Sequence, residues 1–181
     1  MTTQATQTST TYRRLSSTST VLENDPAQDA AFDLVCINLL CNLESLLADF
    51  RQKQIGDRIE YAAPTANALL LHLLEFSDEH FENEQATTVQ EHIRATMERR
   101  DAHNAALRKR SWAFAIKSLI SSTAIDPISI EAYDKLGKSL IGTCGLVFTE
   151  MQRLVRVDSQ VRSQIEQSAL TFLEELKGAW L

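Results

Sequence analysis

Apolar residues recur along this chain at alternating spacings of three and four, the period of a stripe buried on one side of a helix. Phe32, Cys36, Leu39, Leu43, Leu46 and Phe50 form the first stripe. Ahead of it, Asp25 is a good N-cap, Pro26 suits the first helical position, and Gln28 stands where a capping box places its second member. Gly56 and Ala63-Pro64 predict a loop. A second helix follows through Leu69, Leu70, Leu73, Leu74 and Phe76 to His80 and Glu84, and a third from about Thr88 to Ile120, polar through its middle. Asp126-Pro127 opens a fourth as Asp25-Pro26 opens the first, with Ile130, Tyr133, Gly137, Leu140, Cys144, Val147, Met151 and Leu154 on its seam. Val161, Ile165, Ala169, Phe172 and Leu176 share one face of a fifth segment ending at Trp180. No strand alternation competes with these periods. The pattern predicts an all-α protein: an antiparallel four-helix bundle over 25–158 with an additional C-terminal helix over 159–181. Gly137, Gly142 and Gly145 are expected to let a neighbouring helix approach closely, at a cost of about 1 kcal/mol each in helix propensity.

Composition adds boundaries to this picture. The 181 residues suit one domain with tails, and 44% apolar content suffices for a core. Residues 1–22 hold twelve Ser/Thr, two arginines and no acid, which predicts a disordered tail over 1–24. An organellar transit peptide shares that composition but carries an amphipathic Leu/Arg pattern missing here. No run of eighteen unbroken apolar residues occurs, so no membrane span is expected. Cys36, Cys41 and Cys144 form no CxxC pair or disulfide framework, and free thiols point to a reducing, cytoplasmic compartment.

The formal charge of −6 argues against wholesale binding to nucleic acid. It is unevenly spread: residues 23–91 carry 14 Asp/Glu against 3 Lys/Arg, and 94–117 carry 7 Lys/Arg against 2 Asp/Glu. Arg108, Lys109, Arg110 and Trp112 are candidates for phosphate and stacking contacts, against the plainer reading of a solvated helix face.

Candidate chemistry concentrates in the histidines. Residues three before His72, His80, His92 and His103 are Leu69, Ser77, Val89 and Arg100, so the Glu-x-x-His signature of ferritin-like di-iron bundles is absent. HExxH is absent too. The glycines flanking Cys144 do not make a nucleophile elbow, and no phosphate loop or cofactor fingerprint appears, so a non-catalytic protein is expected. His72 reads as a core-edge residue and His92 as a surface one.

The stretch Glu75-Phe76-Ser77-Asp78-Glu79-His80-Phe81-Glu82-Asn83-Glu84 resembles the His-Phe-x-x-Glu motif on the second helix of the hemerythrin family. His103, nineteen residues after Glu84, is similar to the second histidine of that family's next helix, and Asp158 to the aspartate closing its fourth. Ala31-Phe32-Asp33-Leu34 resembles part of its first-helix motif. Hemerythrins are four-helix bundles with a non-haem di-iron centre that binds oxygen through five histidines and two carboxylates. The resemblance spans about 25–158 and implies metal ligands at His80, Glu84, His103 and Asp158. Gln28, Arg99 and Arg153 stand where the family has histidines. An always-protonated guanidinium offers iron no lone pair, though it can neutralise a carboxylate. The resemblance thus implies metal- or oxygen-related binding or sensing, with the di-iron site partly lost and iron weakly held or absent. The alternatives are a metal-free helical interaction or scaffold module, with partner docking or self-association through the C-terminal helix, and a nucleic-acid-associated helical protein. On the plainest reading His80 is a solvated histidine on an acidic face.

Overall fold

Five helices carry the chain: α1 (Pro26–Arg51), α2 (Ile55–His80), α3 (Asn83–Lys117), α4 (Pro127–Leu154) and α5 (Ser159–Trp180). The computed structural model describes residues 26–117, 127–156 and 159–180, and no strand occurs among them. The all-α class is as the periodicity predicts. α1 and α4 start on Pro26 and Pro127, where a fixed φ and a missing N–H cost nothing. Asp25, Asp126, Asp158 and the tail over 1–24 lie outside the described residues.

Two junctions differ from the sequence expectation. Pro64 does not mark a loop: α2 runs through it from Ile55. Pro64 is exposed, so the Glu60 carbonyl that loses its N–H partner sits on the wet side, while Ile59, Ala62, Ala63 and Ala66 are held in the core on the other. Tertiary burial overrides the local breaker. Pro64→Ala is therefore expected to raise stability by about 1–2 kcal/mol, the helix gain less the lost rigidity of the unfolded chain; an unchanged or lower urea midpoint would contradict this account.

The second difference falls inside the acidic motif. α2 stops at His80, Phe81 is extended at φ −94 and ψ 142, and α3 begins at Asn83. Glu84 is therefore in the first turn of α3, not four residues further along the helix of His80. The helix dipole explains the preference. Carboxylates are unfavourable at a helix C-terminus and favourable at an N-terminus, so a break between Asp78-Glu79 and Glu84 places Glu84 well. Phe81 then turns back to meet Phe76 edge-on at 5.6 Å between centroids.

The helices form a closed ring, α1–α2–α3–α4–α5, with α5 returning to α1 and α2 also touching α4. Along α2 and α3, Asp78 meets Gln90, Asn67 meets Arg100 and Ile59 meets His103, so the two run in opposite directions. Thr96 with Ser139 and His103 beside Tyr133 give the same sense for α3 and α4. Phe148 with Phe172 and Tyr133 with Trp180 give it for α4 and α5. A ring of five cannot alternate throughout, and the exception is the α1–α5 seam. There Ile37 and Leu40 lie by Gln164 and Ile165, and further on Arg51 pairs with Glu175 at 3.1 Å, a parallel arrangement.

One core unites all five helices. Cys36, Leu39, Leu43 and Phe50 are buried as the first stripe predicts, joined by Leu40 and Leu47. The additional C-terminal helix is present and is part of this core: Ile165, Ala169, Phe172, Leu176 and Trp180 are all buried in it. α3, polar through its middle, meets α4 through hydroxyls. Buried Thr96 lies 2.7 Å from Ser139 Oγ and 2.9 Å from Thr143 Oγ1. Arg58 ties three segments together, donating to the carbonyls of Arg51 at 2.7 Å, Lys53 at 3.0 Å and Ala179 at 3.2 Å. It satisfies carbonyls at the ends of α1 and α5 that no helical N–H can reach.

By length and composition alone α1 is long and apolar enough to cross a membrane, a test that a core helix also passes. It is the single such helix among the described residues, which excludes a multi-span arrangement of them. In this fold α1 packs against α2 and α5.

Candidate functional site

Of the residues singled out by the sequence, His80, Glu84 and His103 are described, and they are not brought together. His80 ends α2 inside an aromatic group, with its ring 4.9 Å from Phe76 and edge-on to Phe32 at 5.5 Å. Its Nε2 lies 3.6 Å from the neighbouring Glu79 carboxylate, and its side chain is 23% exposed. The solvated-histidine reading is therefore half right: the nitrogen faces an acidic edge while the ring packs. Glu84 is exposed on α3.

His103 is elsewhere. It is fully buried, and its Nε2–H donates to the Ile59 carbonyl at 2.7 Å. A carbonyl can only accept, so this bond fixes the proton on Nε2 and leaves a lone pair on Nδ1, which has no protein partner. Burial lowers the His103 pKa from its ordinary value, opposed by the Ile59 hydrogen bond. Ile59 and His80 stand at opposite ends of α2, about 30 Å apart at 1.5 Å per residue. One metal centre cannot span that distance.

The residues present therefore do not fit the di-iron centre that the hemerythrin resemblance implies. Among the described residues, no group of three His, Cys, Asp or Glu side chains is placed to hold a metal ion. Among the described residues, neither arginine pairs with Glu84. Arg153 pairs with Glu150 on its own helix at 2.7 Å, and Arg99 is exposed on α3, as is Gln28 on α1.

Two of the three thiols are locked in the core, while Cys41 is exposed. The buried Cys36 and Cys144 thiols are pushed up to about 12, chiefly by burial and, for Cys36, also by Asp33. Neither is a nucleophile near neutral pH. Burial likewise raises the Tyr133 hydroxyl to about 12, with Arg58 pulling the other way. Asp33 is buried with one carboxylate oxygen lacking a protein partner; burial first, and Asp29 second, raises its pKa.

The outer surface carries the features the sequence reading passed over. Leu34 is 58% exposed on α1 and Leu170 51% exposed on α5. Between α3 and α4 runs a groove of about 370 Å³ floored by Ala102, Ala105, Ala106 and Ala132. Arg99 and Lys109 flank it on α3, Glu131 and Lys135 on α4, and Ile128, 62% exposed, stands at one end. The signal was legible in principle: alanines at 102, 105 and 106 repeat at helical spacing between basic residues. Alanine is too small to announce a face, and the segment read as a charge pattern alone.

What the fold and its sites define is an all-α protein whose chemistry-bearing side chains are dispersed and whose surface carries apolar seams. Comparison with protein-family models, with curated proteins and with solved structures finds no match to the chain.

Proposed function

We propose that the protein is a non-catalytic helical interaction module that engages another protein through its outer helix faces. The observation that carries this reading is the set of large apolar side chains left in water. Leu34, Ile37, Tyr61, Leu71, Ile128, Ile130 and Leu170 are between 38% and 62% exposed, and Ile128 borders a groove. Ile37 and Leu170 line further hollows along α1 and α5, and exposed apolar side chains beside concave surface are a feature of binding surfaces. The interior supports the same reading from the other side, because the buried Cys36 and Cys144 are held as protonated thiols.

Deleting α5 is not a usable test, since it strips Phe172, Leu176 and Trp180 from the core. Site-specific photo-crosslinking in the native cell is. A photoreactive phenylalanine at Leu34, Ile128 or Leu170 is expected to give a discrete protein adduct, and one at exposed Asp57 none. No adduct at any of the three positions would overturn the proposal. So would two irons per chain in protein purified with iron supplied, the stoichiometry of a hemerythrin-type centre.

A further inference from the structure

We infer that the α3–α4 groove is a docking site for an acidic amphipathic helix of a protein partner. The inference rests on the interaction reading above and gives it a partner class. On α3 the groove positions are Arg99, Ala102, Ala105, Ala106 and Lys109, a stripe at spacings of three and four about 15 Å long. That length matches two to three turns of an incoming helix, enough for apolar side chains at i, i+3 or i+4, and i+7.

The floor and the rim ask for different things from the occupant. Four alanines form a shallow apolar trough between two helices, and Ile128 extends it with a branched side chain already in water. Burying this floor requires hydrocarbon. The rim is cationic: among the described residues Arg99 and Lys109 have no ion-pair partner, whereas Lys135 is neutralised by Glu131 at 2.6 Å. Of the 14 carboxylates in residues 23–91, those on α3 are Glu84 and Glu91, which precede the groove positions 99–109 along the helix. The occupant therefore carries an apolar stripe flanked by Asp or Glu. A nucleic acid would meet the cations but leave the alanine floor and Ile128 wet. A lipid surface is flat and cannot enter a trough between helices.

The test uses the full chain and a fluorescein-labelled helical peptide with leucines at i, i+3 and i+7 and glutamates on both flanks. A lysine-flanked counterpart and a short RNA duplex serve as comparisons. The glutamate peptide is expected to bind at least about tenfold more tightly than the lysine peptide, with an affinity that falls as salt is added. Arg99→Glu with Lys109→Glu should invert that preference. Ala105→Trp, at an exposed position, should fill the trough and abolish binding of both peptides while leaving the thermal midpoint in place. Equal binding of the two peptides, no inversion in the double variant, or preferential binding of the duplex would overturn the inference. So would sedimentation showing that the groove is filled by a second copy of this chain. The two levels separate cleanly. If amide shifts place the glutamate peptide on the α1–α5 face, the groove assignment falls and the interaction module stands. If cross-linking yields no adduct at any of its three positions, the module reading itself falls.

Discussion

Gly137→Ala is expected to destabilise the protein by about 2–4 kcal/mol, the combined scale of overpacking and of a disturbed aromatic core. The reason is the Trp180 indole, which lies flat against the α4 backbone at Gly137. A methyl group there would sit 2.7 Å from Trp180 Cγ and Nε1 and closer still to Cδ1. The ring cannot swing aside. It is stacked on Phe50 at 4.6 Å and on Tyr133 at 5.5 Å, and its Nε1–H donates to the Tyr133 carbonyl at 3.1 Å. The clash far outweighs the helix propensity that alanine contributes, about 1 kcal/mol. Gly142 is the natural comparison, because nothing approaches a Cβ there within 4 Å. Gly142→Ala should therefore stabilise by about 0.5–1 kcal/mol. Urea unfolding of both variants decides the matter. A Gly137→Ala protein as stable as wild type would mean that Trp180 is not seated where the fold places it.

Acid sensitivity provides the second large effect. His103 is neutral in the fold, with its pKa held below the 6.5 of an unfolded chain. Above that pH neither state binds the proton and His103 contributes nothing to the pH dependence. Below it the unfolded chain takes up a proton that the folded chain refuses. Stability therefore falls as pH drops from about 6.5 toward the folded pKa, and levels off beneath it. The limiting slope for one proton is about 1.4 kcal/mol per pH unit. Asp33 acts in the opposite sense. Its raised folded pKa makes the folded state bind the proton more tightly, so acidification toward 3.8 relieves a penalty there. It cannot mimic the His103 loss. His103→Gln keeps an N–H for the Ile59 carbonyl and does not titrate. Its unfolding midpoint should fall less steeply between pH 7 and pH 5 than that of wild type, and parallel curves would refute this role for His103.

The helical seams were readable because burial along a helix imposes its own period, although Phe32, Leu46 and Val161 are only partly buried and the first stripe missed Leu40 and Leu47. Gly137 was rightly read as a point of close approach. Gly142 and Gly145 were not, since propensity alone cannot say which side of a helix faces a neighbour. Pro64 was misread because local breakers lose to tertiary burial when the missing hydrogen bond faces water. The break at Phe81 mattered most. A metal motif spaced four apart assumes one continuous helix, and two non-helical residues, Phe81 and Glu82, were enough to separate His80 from Glu84. His103 carries a residue type that suits a ligand, yet its partner is a backbone carbonyl on another helix, which no spacing along the sequence reveals.

The parallel seam between the first and last helices sets an order on biosynthesis. Arg58 reaches a carbonyl 121 residues downstream, and Phe50 stacks on Trp180. Contacts over so long a stretch of chain close last, because the loop entropy is spent before they form. As the polypeptide leaves the ribosome, the oily flank of α1 that α5 covers must wait, uncovered, for Trp180 to emerge.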